Sequence, residues 1–318
     1  MATSVPAFEA YWQATRERLE EGFERALPHF FDRLPAGHLS TVRTVLAGGK
    51  RLRGSLVCLL NDALGGDPAA AVPRAMAVEC VHAASLIHDD LVDGDASRRN
   101  RPATWATEGP RRAVLLADLM FATALQRMVE LGRDDGLALA QAIATMAAGA
   151  FQEPLEPTDT LHSPGGEGMP YPELIYLKTG VLFGTACRMG ALAAGASASV
   201  AAHAFEYGAR TGEAYQMADD LQDLVGRPPG RPATAAQLAL LAPAAWHFCP
   251  DLAQAPSPPG PDHAARLRLV LRSAMAAGIE ARLQQARAAA SQLPGGFLDG
   301  LLATAPDHIV AAMAAGAP

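Results

Sequence analysis

The sequence predicts an all-α fold, and three observations carry that prediction. No stretch alternates apolar and polar residues with period two for long enough to make a strand. Apolar residues recur instead at helical spacing, in runs that stop at glycine or proline. Aromatic residues are only 6% of the chain while alanine is abundant, which suits closely packed helices better than a sandwich of strands. With 50% apolar and 19% charged residues over 318 positions, a sizeable core is affordable and disorder is not the default. The expected architecture is a single-domain helical bundle over residues 1–318, with roughly ten to a dozen helices.

The elements follow in order. Phe8, Tyr11, Trp12, Leu19, Phe23 and Leu27 form one apolar stripe, interrupted by Thr15 and stopped near Pro28. Thr41 to Leu46 ends at Gly48-Gly49, and Leu52 to Leu64 ends at Gly65-Gly66. Pro73 suits a first helical turn, so Val72 to Leu91 reads as a long buried helix. Arg98 to Gly109 is polar and loop-like. Ala113 to Leu131 and Leu137 to Phe151 are helices separated by Gly132 to Gly136. Glu153 to Pro170, with several prolines and glycines, is a loop. Tyr171 to Ala194 and Ser197 to Leu224 are helical, and Gly226 to Pro261 is proline-rich with one helix at Thr234 to Leu241. Ala264 to Leu293 and Phe297 to Ala314 complete the bundle.

Composition excludes some functions. A formal charge of −7 and a pI near 5.7 argue against a nucleic-acid partner. Cys58, Cys80, Cys187 and Cys249 have no metal-ligand spacing and lie in apolar surroundings, as buried reduced thiols do. Met1 to Pro6 has no basic segment leading into an apolar one, and the long apolar stretches are broken by charge. A cytoplasmic protein without an integral membrane segment is therefore expected.

Two acidic clusters stand out. Asp89, Asp90 and Asp93 close one apolar helical run, and Asp219, Asp220 and Asp223 close another with the same i, i+1, i+4 spacing. On a helix, residues four apart lie on one face, where like charges repel unless a cation sits between them. Carboxylate oxygens are the ligands Mg²⁺ prefers, completed by water and phosphate. Six aspartates in two such sets suit two or three Mg²⁺ ions bridging a diphosphate. A single cluster would be balanced against a solvated acidic face, but the repeat at identical spacing favours metal.

Cations accompany them. Lys50 and Arg53 stand three apart at a helix start, where backbone N–H groups also favour anions. Arg98 and Arg99 follow the first cluster. Most arginine pairs are surface charge, but a diphosphate needs positive partners near its metals. His82, seven residues before Asp89, shares its helical face, although a lone histidine on an apolar helix is more often a satisfied core residue.

Gly48-Gly49-Lys50-Arg51-Leu52-Arg53, the run from His82 to Asp93, Arg98-Arg99, Lys178-Thr179-Gly180 and the run from Tyr215 to Asp223 together resemble the trans-isoprenyl diphosphate (polyprenyl) synthases, in that family's order, over about residues 45–225. The resemblance implies a helical fold around a deep central cavity, a homodimer, and Mg²⁺-dependent condensation of isopentenyl diphosphate with an allylic diphosphate. By position, Asp89, Asp93 and Asp219 would hold Mg²⁺, with Asp90, Asp220 and Asp223 completing or supporting the cluster. Lys50, Arg53, His82 and Arg99 would bind isopentenyl diphosphate. Arg98, Lys178 and Gln216 would serve the allylic diphosphate, with Thr179 close to the developing cation.

The chain also departs from that pattern. After the second cluster it runs Leu224 to Ala233 without a lysine, where Arg227 or Arg231 is the available cation. Ala311 to Pro318 has no basic tail, and Ala117-Asp118 stands where Gly-Asp is common. The family's product floor corresponds to Ala84 and Ser85, both small, so the cavity is expected to run deeper, to Val81, Ala77 or Phe121. Geranylgeranyl diphosphate is the first expectation for product, with farnesyl or a longer chain as alternatives. A class I terpene cyclase and a weakly active regulatory subunit are the competing readings. The second cation set argues against the cyclase, and the six intact aspartates argue against the inactive subunit.

Overall fold

The structure is a computed structural model, described here for residues 8–98, 101–152, 169–225, 242–253, 261–296 and 298–314. It is helical nearly throughout, as the missing period-two alternation requires. Helix α1 (Phe8–Phe30) carries the expected stripe and continues past Pro28 to Phe30. A 3-10 turn (Ala36–His38) leads into α2 (Leu39–Leu46), followed by α3 (Leu52–Ala63).

Helix α4 (Pro68–Val92) starts four residues earlier than Pro73 suggests. Asp67 caps it by accepting the Ala69 N–H at 2.9 Å, and Pro68 occupies the first turn, so Pro73 sits inside the helix at the loss of one backbone bond. The segment read as loop after the first cluster is partly ordered. Strands β1 (Ser97–Arg98) and β2 (Arg101–Pro102) form a two-stranded antiparallel hairpin, and α5 (Thr104–Glu108) follows. Two-residue strands carry no readable periodicity.

Helices α6 (Pro110–Leu131) and α7 (Arg133–Gln152) are separated by Gly132 alone. Asp134 and Asp135 favour the start of α7 by facing its positive dipole end. Helix α8 (Tyr171–Ile175) runs through a π-helical turn (Tyr176–Gly180) into α9 (Val181–Ala193), and α10 (Ala198–Val225) returns alongside. Helices α11 (Ala242–Phe248), α12 (Pro250–Ala253), α13 (Pro261–Ala290) and α14 (Asp299–Ala314) complete the described chain. The expected helix at 234–241, the loop at 153–168 and the lysine-free segment at 226–233 lie outside the described residues.

Helix α9 is the axis of the bundle, packed against α3, α4, α7 and α10. Its approach to α10 is close enough that a Cβ at Gly212 would lie 2.7 Å from the Phe183 Cβ. One core cluster joins α1 to α4, α6, α9 and α14, and a second joins α8, α10, α11 and α13. By length and composition α4 could cross a membrane, but most of its apolar window is buried inside the bundle. All four cysteines are free and buried; burial pushes the Cys58 thiol up to about 11, and those of Cys80 and Cys187 further.

Candidate active site

Helix directions bring the two acidic clusters to the same end of the bundle. Gly180 lies against Ala209 and Glu213 while Gly184 lies against Phe205, so α9 and α10 are antiparallel. The Arg53 guanidinium stacks 4.6 Å from the Phe183 ring centroid, and Gly190 lies against Val57 and Leu60, so α3 runs parallel to α9. Gly54 at the start of α3 meets Glu79, while Asn61 near its end donates to the Asp67 carbonyl that opens α4 at 3.1 Å, so α4 is antiparallel to α3. The C-terminal turns of α4 and α10 therefore project past the N-termini of α3 and α9. Asp89, Asp93, Asp219 and Asp223 share that rim with Lys50, Arg53 and Lys178.

These carboxylates sit at the negative ends of two helix dipoles, where acidic residues are unfavourable. On α4, Asp93 is the C-cap and its N–H donates to the Asp89 carbonyl at 2.8 Å. Asp90 is buried and turned away from its neighbours, pairing with Arg98 Nε at 2.5 Å. Hairpin β1–β2 delivers that arginine, so Arg98 is engaged by the first cluster itself. Arg99 lies outside the described residues.

On α10, a chain of hydrogen bonds fixes the second cluster. The Thr179 hydroxyl donates to Gln216 Oε1 at 2.5 Å, Gln216 Nε2 donates to Asp220 Oδ1 at 3.0 Å, and the Tyr171 hydroxyl donates to Asp220 Oδ2 at 2.7 Å. Burial raises the Asp220 carboxyl to about 6 and the Asp219 charge adds to this, against lowering by the Tyr171 and Gln216 bonds and by the Lys178 charge. Burial and the Asp220 charge push the Tyr171 hydroxyl up. The π-helical turn supplies Thr179 to this chain and brings the Lys178 charge to bear on Asp220, and such turns often mark functional positions. Thr179 is buried and oriented toward Gln216 rather than toward open space.

Some contributors were not anticipated. Tyr171 sits seven residues before Lys178 on the same helical run, a signal that spacing alone offered. The last turn of α14 reaches the rim through its backbone: Lys50 Nζ donates to the Ala312 carbonyl at 2.9 Å and Gln222 Nε2 to the Met313 carbonyl at 2.5 Å. A tail without basic side chains thus still contacts the candidate site.

The expected product floor resolves unevenly. Val81, Ala77 and Ala84 are fully buried, whereas Ser85 is half-buried, its hydroxyl donating to the His82 carbonyl at 2.9 Å. Phe121 is not a turn deeper than Ser85. Helix α6 is antiparallel to α4, and Phe121 meets His88 at 5.6 Å between centroids, with Asp118 Oδ1 3.4 Å from His88 Nε2.

Among the described residues no three Asp, Glu, His or Cys side chains form a ready-made metal cage. The donor set still fits Mg²⁺ by its chemistry, since the candidates are hard carboxylate oxygens and Mg²⁺ commonly takes only one or two of them, completing its shell with water and phosphate.

The family profile for polyprenyl synthetase matches residues 38–231. The chain is 32% identical over 249 residues to the short chain isoprenyl diphosphate synthase of Methanothermobacter thermautotrophicus, covering 73% of this chain and 71% of that one. It is 36% identical over 197 residues to the geranylgeranyl diphosphate synthase of Mycobacterium tuberculosis, 58% of this chain and 54% of that one. Its fold matches that of a decaprenyl diphosphate synthase from Rhodobacter capsulatus at TM-score 0.77 and 24% identity, covering 96% of this chain and 99% of that one. A polyprenyl synthase from Caulobacter crescentus, complexed with calcium and isoprenyl diphosphate, matches at TM-score 0.74 and 25% identity, covering 97% and 98%.

Proposed function

The chain belongs to the polyprenyl synthetase family of trans-prenyltransferases, and from that premise we propose that it condenses isopentenyl diphosphate with an allylic diphosphate, head to tail, to give a short trans-prenyl diphosphate of farnesyl or geranylgeranyl length. The observation that carries this reading is the single rim, where two acidic helix ends meet two sets of cations. One cation set would serve ionisation alone, as in a terpene cyclase. The second set, Lys50, Arg53 and His82, gives the second diphosphate a place.

In this reading Asp89, Asp93, Asp219, Asp220 and Asp223 would hold two or three Mg²⁺ ions for the allylic diphosphate. Bound Mg²⁺ supplies Lewis acidity to the departing diphosphate. The chain's own groups do the rest. Lys178 adds positive charge beside Asp220, where the leaving group becomes more negative. Thr179 and Tyr171 keep Gln216 and Asp220 in fixed rotamers, so that part of the rim needs no reorganisation when substrate arrives. Arg53, stacked on Phe183, presents a planar fork suited to phosphate oxygens, and Lys50 a point charge. Apolar walls below the rim exclude water from the carbocation, whose last proton goes to a diphosphate oxygen.

Ser85, with more exposure than Ala84, is the better candidate for the floor. A homodimer is part of the proposal: Leu115, Val129, Leu131 and Leu137 on α6 and α7 are unusually exposed apolar side chains. The enzyme would act in the cytoplasm on water-soluble diphosphates.

The test is purified protein with Mg²⁺, isopentenyl diphosphate and each allylic diphosphate in turn, followed by chain-length analysis. Elongated product is expected, and its absence with every acceptor would sink this reading. Asp89→Ala and Asp219→Ala should each lower turnover by about 10²–10³-fold with the fold intact by circular dichroism. Near-normal rates in either would remove that residue from the metal site.

A further inference from the structure

Neither Arg51 nor Glu79 has a part in the reaction described above, yet both are buried charges, at 5% and 6% exposure, directly beneath Lys50 and Arg53. Unpaired, such charges are costly, so their partners are informative. Arg51 is also the only residue other than glycine with positive φ among the described residues, at φ 51 and ψ 31. That conformation costs about 1–2 kcal/mol outside glycine. Its side chain holds it there. The guanidinium pairs with Glu20 Oε1 at 2.7 Å and Glu79 Oε2 at 3.5 Å, lies 5.4 Å from the Phe23 ring centroid, and donates to the Leu46 carbonyl that ends α2.

Glu79 completes the arrangement from the other side. Its Oε1 accepts the Gly54 N–H at 2.8 Å, a donor of the first turn of α3 that lacks a helical partner. The contact is so close that a Cβ at Gly54 would lie 3.3 Å from Glu79 Cγ and Oε1 and 3.1 Å from Leu19 Cδ1. On α4, Glu79 shares a face with His82, Asp89 and Asp93, within an arc of about 80°. Asp89 lies about 15 Å further along the same helix. One carboxylate therefore ties the start of α3, which carries Arg53 and follows Lys50, to the helix that carries His82 and the first metal cluster.

We propose that Glu79 and Arg51 are positioning residues: they set where Lys50 and Arg53 stand relative to His82 and the acidic rim, and so determine how well isopentenyl diphosphate is held. The proposal rests on the condensation reading and adds to it a device specific to one of the two substrates. Arg51 fixes the backbone turn between the two cations. Glu79 fixes that turn to α4. Neither touches the allylic diphosphate site: its α8, π-turn and α10 residues lie on other elements, and Asp89, its nearest residue on α4, is about 15 Å further along that helix, so the effect should fall on one substrate alone.

Steady-state kinetics with both substrates varied decide the matter. Glu79→Gln keeps an acceptor for the Gly54 N–H but leaves Arg51 without its buried counter-charge. It should raise KM for isopentenyl diphosphate roughly tenfold, the size of one lost charge-assisted hydrogen bond. KM for the allylic diphosphate, and kcat at saturating isopentenyl diphosphate, should not move. Gly54→Ala is the second variant, since it pushes the start of α3 off Glu79 without unpairing a charge, and the same selective rise is expected. If Glu79→Gln loses its helical signal, Gly54→Ala decides alone. Both KM values rising together, or neither rising in a folded variant, would overturn the positioning role. A wild-type protein that makes no elongated product would overturn the condensation reading and this proposal with it, whereas active wild type with kinetically silent variants removes only the proposal.

Discussion

At the scale of single residues, the rim is a set of charges placed where the fold alone would not put them. Asp220 shows the cost most directly. Its carboxyl titrates near 6 in the folded chain against 3.8 ordinarily, so the native state binds that proton more tightly than the unfolded state does. Stability from this group therefore falls as pH rises from about 4 to about 6 and stays lowered above that range. Asp220→Asn removes the ionisation while leaving an acceptor for Tyr171. The ligand-free variant is expected to melt above wild type at about pH 7.5, with the difference vanishing near pH 4. Melting curves across that range check it, and equal melting temperatures throughout would mean that Asp220 is not held at a cost. The variant should at the same time lose turnover, separating the carboxylate's harm to the fold from its use. The spacing of the six aspartates was legible because like charges four apart on a helix ask for an explanation. The partners Arg98, Tyr171 and Gln216 were not legible as partners, because each is brought in by a hairpin, a π turn or an antiparallel helix that no local pattern announces.

At the scale of elements, helix existence followed from composition and period, while helix ends followed from capping. Asp67-Pro68 was a readable start for α4, and Pro73 drew the boundary inward because proline favours a first turn. Gly132 and Gly136 looked equivalent as separators, but only Gly132 breaks the backbone, and Gly136 packs inside α7 against Val129. Helix α4 also shows how one element divides its faces. Val81, Ala84 and His88 lie toward α6, with Ala84 sealed, and Ser85 lies between that contact and the stripe of His82 and Asp89. Two substitutions separate these faces. Ser85→Phe should shorten the product by one isoprene unit or more with little loss of stability. Ala84→Phe overpacks a closed interface and should destabilise by about 1–3 kcal/mol, with any change in product secondary to that. Chain-length analysis beside thermal melts distinguishes them; a shorter product from a fully stable Ala84→Phe protein would reverse the assignment.

At the scale of the whole molecule, the rim is closed by the two ends of the chain meeting across it. Trp12 in α1 donates to the Lys50 carbonyl at 2.9 Å, and α14 accepts from Lys50 and Gln222 through Ala312 and Met313. Contacts 262 and 91 residues apart in sequence cannot be read from period or spacing, so the sequence showed only that the tail after Ala311 lacks basic residues. The structure uses carbonyls instead, which any residue type supplies. These carbonyls tie the start of α3 to the end of α10, the two elements that bear the opposing charges of the rim. A chain ending at Ala311 lacks both acceptors. Two hydrogen bonds of this kind contribute about 2 kcal/mol together, small for a core of this size, so the shortened protein should still fold. Its chemistry should suffer more than its stability, because an opened rim admits water to a carbocation that needs a dry cavity. With allylic diphosphate and Mg²⁺ the truncated protein is expected to release a larger share of hydrolysed alcohol relative to elongated product than the full chain does. Product partition in the two proteins, measured at equal turnover, tests this directly. An unchanged partition would mean that α14 contributes only to the packing of α3 against α10, and that the seal over the reacting carbon is made elsewhere.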